Sequence, residues 1–253
     1  MDVRKKLPYT KNNVEFVKGK YPKQWRSYKA FSERYPDACL QMDGIVNPDI
    51  WQGEKLKILS FLKDSYRINT NDYISTFVLD LCNLCNEELF KYNKTAIATW
   101  WNLLKWVNAI RVSLGENKVD TLQTIAHMNI SKLACDGKES VYTRQGVLET
   151  AMQKDGELLY KQYKEINPNI VICGNTEYYF FKMLEEHSEQ KPIIEEVFKG
   201  KIEGKKPLYC YLVNNSTIVF SAYHPCILNT KPEHFEIVIE KNKEKIHEIL
   251  YKR

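Results

Sequence analysis

Short, almost wholly apolar runs alternate with longer stretches of helical periodicity, and that alternation restricts the possible folds more than any other feature. Ile58-Leu59-Ser60-Phe61-Leu62, Leu122 to Ile130, Asn169 to Cys173, Leu208 to Val213 and Thr217 to Ala222 all contain strand-length apolar segments. A strand apolar on both faces has to be covered on both faces, which is the condition of a parallel sheet lying between helices. The intervening pattern supplies those helices. Tyr73 to Tyr92 follows an Asn71-Asp72 N-cap, Thr95 to Leu114 stops at Gly115, and Thr143 to Ile166 stops at Asn167-Pro168. Thr176 to Glu186 and Glu233 to Tyr251 add two more, and Lys199 to Lys206 predicts a hairpin region. The expected fold is therefore α/β: a three-layer sandwich with a central, mainly parallel four- or five-stranded sheet flanked by helices. Residues 1–54 hold Trp25, Tyr28, Phe31 and Trp51 with little periodicity, and are expected to form an N-terminal helical arm packed on it. With 253 residues, no internal repeat and no low-complexity linker, one domain is expected.

Charge and cysteine usage narrow the classes further. Lys and Arg outnumber Asp and Glu by 37 to 32, a net charge of +5, which permits a nucleic-acid partner without requiring one. No apolar run approaches the roughly 20 residues of a membrane-spanning helix. Met1 to Lys6 is charged and leads into no apolar stretch, so no signal peptide is expected. Seven cysteines, odd in number and scattered, fit free thiols in a reducing cytoplasm. Cys82 and Cys85 form one Cys-x-x-Cys pair without a second, so no metal is expected.

Ligands of open α/β sheets bind beyond the carboxyl ends of the strands, so the residues there are the candidates. The first apolar run leads into Lys63-Asp64-Ser65-Tyr66-Arg67, a carboxylate beside an aromatic ring. The second ends in His127-Met128-Asn129-Ile130 and the third in Gly174-Asn175. The last leads into Tyr223-His224-Pro225-Cys226, an imidazole on a turn stiffened by proline. If these strands are neighbours, one cleft gathers a carboxylate, an amide, an imidazole and a ring. Taken singly, each has an ordinary role too: Asp64 as a turn residue, His224-Pro225 as a turn, Asn129 as the end of a strand.

In this order the strings resemble the motifs of the uracil-DNA glycosylase superfamily. Lys63-Asp64-Ser65-Tyr66-Arg67 is similar to that family's water-activating loop, usually Gly-Gln-Asp-Pro-Tyr-His; here Leu62, Lys63, Ser65 and Arg67 replace its Gly, Gln, Pro and His. Asn129 resembles its base-reading asparagine, and Tyr223-His224-Pro225-Cys226 its His-Pro-Ser turn, with Cys226 in place of the serine. The strand Ile170 to Cys173 with Gly174 is also similar, and the resemblance covers about residues 55–228.

The resemblance implies hydrolysis of the N-glycosidic bond of uracil, or a related deaminated or damaged base, in DNA. Such cleavage develops positive charge on the sugar and negative charge on the base. Asp64 would stabilise the sugar cation and orient water, and His224 would donate to the base oxygen. Asn129 would read the pyrimidine edge, Tyr66 would exclude a 5-methyl group, and Phe77, or else Tyr73, would stack on the extruded base. Lys63, Arg67, Pro225, Cys226 and Leu228 would face DNA, with Leu228, beside Ile227, filling the vacated stack. Lys132 and Lys231 are further candidates for phosphate contacts. Uracil-containing DNA, single- or double-stranded, is the implied partner, with no cofactor, no metal and no membrane, for a cytoplasmic monomer. Two alternatives stay open: a non-catalytic member that binds nucleic acid or a protein through the same cleft, and an unrelated α/β hydrolase of a small nucleoside or ester. The second lacks a Gly-x-Ser-x-Gly nucleophile elbow.

Overall fold

The structure is a computed structural model and describes residues 19, 22–35, 40–41, 43–63, 74–75, 94–132, 145–200, 208–226 and 229–251. In chain order the strands are β1 (Leu40–Gln41), β2 (Gly44–Ile45), β3 (Ile58–Leu62), β4 (Ile74–Ser75), β5 (Ile125–Asn129), β6 (Ile170–Gly174), β7 (Ile194–Gly200), β8 (Leu208–Val213) and β9 (Thr217–Ala222). The helices are α1 (Pro22–Arg34), α2 (Pro48–Gly53), α3 (Lys94–Ser113), α4 (Gln145–Ile166), α5 (Glu177–His187), α6 (Pro232–Lys241) and α7 (Lys243–Tyr251). Among the described residues, none of these helices is long and apolar enough to cross a membrane.

A seven-stranded sheet runs β2-β5-β3-β6-β9-β8-β7. Its four central strands, β5, β3, β6 and β9, are mutually parallel. Every residue of these four is buried, as their unbroken apolar sequences require once both faces are covered. One face carries α3, α6 and α7, with Leu103, Trp106, Val107, Ile110, Phe235, Val238 and Ile246 packed on Ile58, Ile125, Ile172 and Phe220. The other carries α4 and α5, with α1 packed against α4, through Leu148, Met152, Leu159, Phe180 and Phe31. Helices thus cover the sheet on both sides.

The sheet is wider than the expected four or five strands because three strands of different character extend it. β2 pairs antiparallel with β5 at one edge, and β7 and β8 continue antiparallel from β9 at the other. The sequence of β7, Ile-Glu-Glu-Val-Phe-Lys-Gly, hides a strand behind charges; such charges suit an edge, where they discourage pairing with another chain. The expected hairpin region falls partly on β7, and residues 201–207 lie outside the described residues. Ile74 and Ser75 form β4, parallel to β1, where a helix was expected; the remainder of that stretch, 76–92, also lies outside them. The C-terminal helix is two helices. At Asn242 the side-chain Nδ2 donates to the Val238 carbonyl and the backbone N–H to the Ile239 carbonyl, which ends α6 before α7 begins.

The strand order creates the geometry that matters for function. From β3 the chain goes to β5 on one side, then returns past β3 to β6 and on towards β9. The connections leaving β3 and β6 therefore diverge, and a crevice at the carboxyl ends between them is the place where such sheets bind ligands.

Candidate functional site

Four segments meet along this carboxyl edge. Leu62 of β3 pairs with Asn129 of β5, and the ladder runs on: Ile130 N–H donates to the Leu62 carbonyl and Ser131 N–H to the Lys63 carbonyl, both at 2.9 Å. β6 ends in Gly174, paired with Ala222 of β9, and Asn175 N–H donates to the Ala222 carbonyl at 2.7 Å. Gly174 is required by close approach. A Cβ there would lie 2.4 Å from Leu62 Cδ2, 3.3 Å from Pro225 Cδ and 3.5 Å from His224 Cα. The ends of β3 and β6 and the His224-Pro225 turn thus press on one another.

The turn is tied down from α3 and from the segment before α6. Asn102 Nδ2 donates to the Pro225 carbonyl at 2.7 Å, Tyr223 N–H donates to Thr230 Oγ1 at 2.9 Å, and Trp106 Nε1 donates to the Thr230 carbonyl at 3.2 Å. Cys226 N–H donates to His224 Nδ1 at 3.3 Å, and the Cys226 thiol lies 2.9 Å from the same nitrogen. With Nδ1 accepting from Cys226 N–H, a neutral His224 ring has its N–H on Nε2. Burial raises the Cys226 thiol pKa, against opposing pulls from a backbone hydrogen bond and from Lys63.

Asn129, only 2% exposed, anchors the other end of the edge. Its backbone N–H donates to Asp43 Oδ2 at 2.6 Å. Asp43 is itself buried, bridged by Lys132 Nζ at 2.8 and 2.7 Å and by Gln162 Nε2 at 2.7 Å. Burial pulls the Lys132 pKa down, against the opposing charge of Asp43. The Asn129 side chain bonds through Oδ1 to His127 Nε2 at 3.0 Å, and His127 Nδ1 lies 2.6 Å from Ser60 Oγ. Asn129 Nδ2 is buried with no hydrogen-bond partner among the described residues. His127 is fully buried and pushed down to about 4, by burial first of all.

Of the residues expected at the site, Asn129, Lys63, Gly174, Asn175, His224, Pro225 and Cys226 lie on this edge. Asp64, Tyr66, Arg67, Tyr73, Phe77, Ile227 and Leu228 lie outside the described residues, as do Cys82 and Cys85. Lys231 is exposed at the start of α6. Lys132 is a correction: it is 3% exposed and closed onto Asp43, so it is not a phosphate-contacting side chain. Three residues of the network, Ser60, His127 and Asp43, were not singled out by sequence. His127 carries a usable signal, since a residue two before Asn129 on a strand shares its face. Asp43 precedes Gly44 and reads as an ordinary turn.

Compared with known proteins, the chain matches no family model and no curated sequence.

Proposed function

We propose that this chain hydrolyses the N-glycosidic bond of uracil, or a related deaminated or damaged base, in DNA, as a remote member of the uracil-DNA glycosylase superfamily. The observation that carries the proposal is the shared carboxyl edge, with Asn129 at the end of β5, Lys63 after β3, Gly174 at the end of β6 and His224-Pro225 after β9. An extruded base in the crevice would lie between the Asn129 amide and the His224 ring. Asp64 is the next residue after Lys63 in the chain, and a carboxylate there would stabilise the oxocarbenium-like sugar and orient water. The N–H on His224 Nε2 is a donor for the oxygen that gains charge on the departing base, and removing one such donor costs about 10²–10³ in rate. Lys63 would add positive charge where DNA phosphates approach.

The test is incubation with single-stranded and duplex oligonucleotides holding one uracil, followed by alkaline scission at the abasic site. Strand cleavage by the intact chain, lost in Asp64→Ala and reduced about 10²–10³-fold in His224→Ala, is the expected result. Cleavage no greater than that of Asp64→Ala would refute the enzymatic proposal. DNA binding with a steep salt dependence but no base release would assign the cleft to a non-catalytic nucleic-acid protein instead.

A further inference from the structure

The two faces of α3 differ in character. Leu103, Leu104, Trp106, Val107 and Ile110 pack into the core, while Trp101, Lys105 and Val112 stand exposed on the outer stripe. Single exposed apolar residues are ordinary. Trp101 is less so, because its indole, 45% exposed, has a cation at its face. The Lys105 ammonium, one helical turn later, lies 5.4 Å from the Trp101 ring centroid.

The place of this pair in the fold is a second observation. Trp100 meets the His127 ring edge-on, with centroids 5.2 Å apart, and Asn102 holds the Pro225 carbonyl. Both chain neighbours of Trp101 thus reach the carboxyl edge of the sheet. Since a helix rises only about 1.5 Å per residue, Trp101 stands at the same height, on the outer rim of the crevice.

Charge selects the occupant. The 20 residues of α3 include no Asp or Glu. Its Arg111 is turned inward onto Glu54, whereas Lys105 is exposed beside the indole. A nucleotide matches both groups at once, a flat base for the ring and a phosphate for the ammonium. α6, packed beside α3, presents exposed Glu233, Glu236 and Glu240, which repel a phosphate chain on that flank and confine it to the α3 stripe.

We infer that Trp101 and Lys105 form a stacking platform for one unpaired nucleotide of a single strand that crosses the rim of the crevice, its base on the indole and its phosphate on the ammonium. The inference rests on the proposed function for nucleic acid being the partner, but not on base release.

The test is fluorescence anisotropy of a labelled oligothymidylate titrated with the intact chain. Trp101→Ala should weaken binding by about 5- to 100-fold, the scale of one base stacked on an aromatic side chain, and Trp101→Phe should keep most of the affinity. A strand with the same phosphates but abasic sugars should bind the unaltered chain and Trp101→Ala equally. So should a duplex, whose bases are closed in the stack. Lys105→Gln should lower the slope of log affinity against log salt by about 0.7, the share of one phosphate contact on a single strand. Unchanged affinity of Trp101→Ala for oligothymidylate, an equal loss with abasic or duplex DNA, or no binding of oligothymidylate by the unaltered chain would overturn the platform. The probe holds no uracil, so the result is independent of cleavage. Base release with binding insensitive to Trp101 sinks the platform alone, and Trp101-dependent binding without base release sinks the enzymatic proposal alone.

Discussion

The asparagines at the two ends of the sheet do different work. Towards the amino ends of the strands, Asn47, Asn108 and Asn169 are clasps with both halves of the amide engaged. Asn47 accepts from Asp49 N–H and donates to Gln123 Oε1; Asn108 accepts from and donates to Val119; Asn169 accepts from Lys57 N–H and donates to the Lys55 carbonyl. At the carboxyl end, Asn129 is more deeply buried, and among the described residues only its side-chain oxygen is engaged. A buried donor left unpaired costs about 1–3 kcal/mol, and folded proteins rarely carry that cost without a ligand or mechanism that uses the group. On the proposed function, the amino end of the sheet is closed by these clasps and the carboxyl end is where a base would bind.

The largest test of this contrast is the buried pair that supports Asn129. Lys132→Met leaves the Asp43 carboxylate buried without its ammonium partner, and loss of one member of such a pair costs about 3–5 kcal/mol. Urea unfolding should show a loss of this size; a change below about 1 kcal/mol would mean that water reaches Asp43.

Next in size is a pH effect. His127 is held at about 4 in the fold against 6.5 in the unfolded chain. Between those values the unfolded chain binds a proton that the folded chain does not. Its contribution is therefore complete above pH 6.5 and is lost as pH falls towards 4, by on the order of 3 kcal/mol. Stability measured across this range should fall less steeply in His127→Gln; identical profiles would show that His127 titrates freely.

Gly174→Ala should come third. The added Cβ meets the tip of Leu62, which can turn aside, and the ring of Pro225, which is held by Asn102. A loss of about 1–3 kcal/mol, typical of overpacking, is expected, together with slower base release as the His224 turn shifts. An unaffected thermal midpoint would show that the edge packs more loosely than described.

The smallest effect separates the asparagines themselves. Asn169→Ala removes two hydrogen bonds and should cost about 1–2 kcal/mol with base release intact. Asn129→Ala removes one side-chain bond and should cost less stability while sharply reducing base release. The reverse order in calorimetry and activity would remove the distinction between clasp and site.

Much of the fold was legible because the buried strands announce themselves as unbroken apolar runs, and α3 and α4 as stripes closed by Gly115 at φ 83° and Asn167 at φ 49°. β7 was not, because an edge strand needs burial on fewer sides and its charges mask the pattern. The break at Asn242 was missed since apolar spacing continues across it from Val238 to Ile246. Lys132 looked like a surface cation because nothing local marks Asp43, 89 residues earlier, as its partner.

Local sequence alone determined where the buried strands and the long helices form and which polar residues stand at their ends, because backbone propensity and burial periodicity act over a few residues. The tertiary structure decided that β3 lies between β5 and β6, that β9 follows, and that Ser60 and Asp43 reach His127 and Asn129. Those choices are made by strand pairing and side-chain contacts between distant segments, whose energies appear only when the chain is folded.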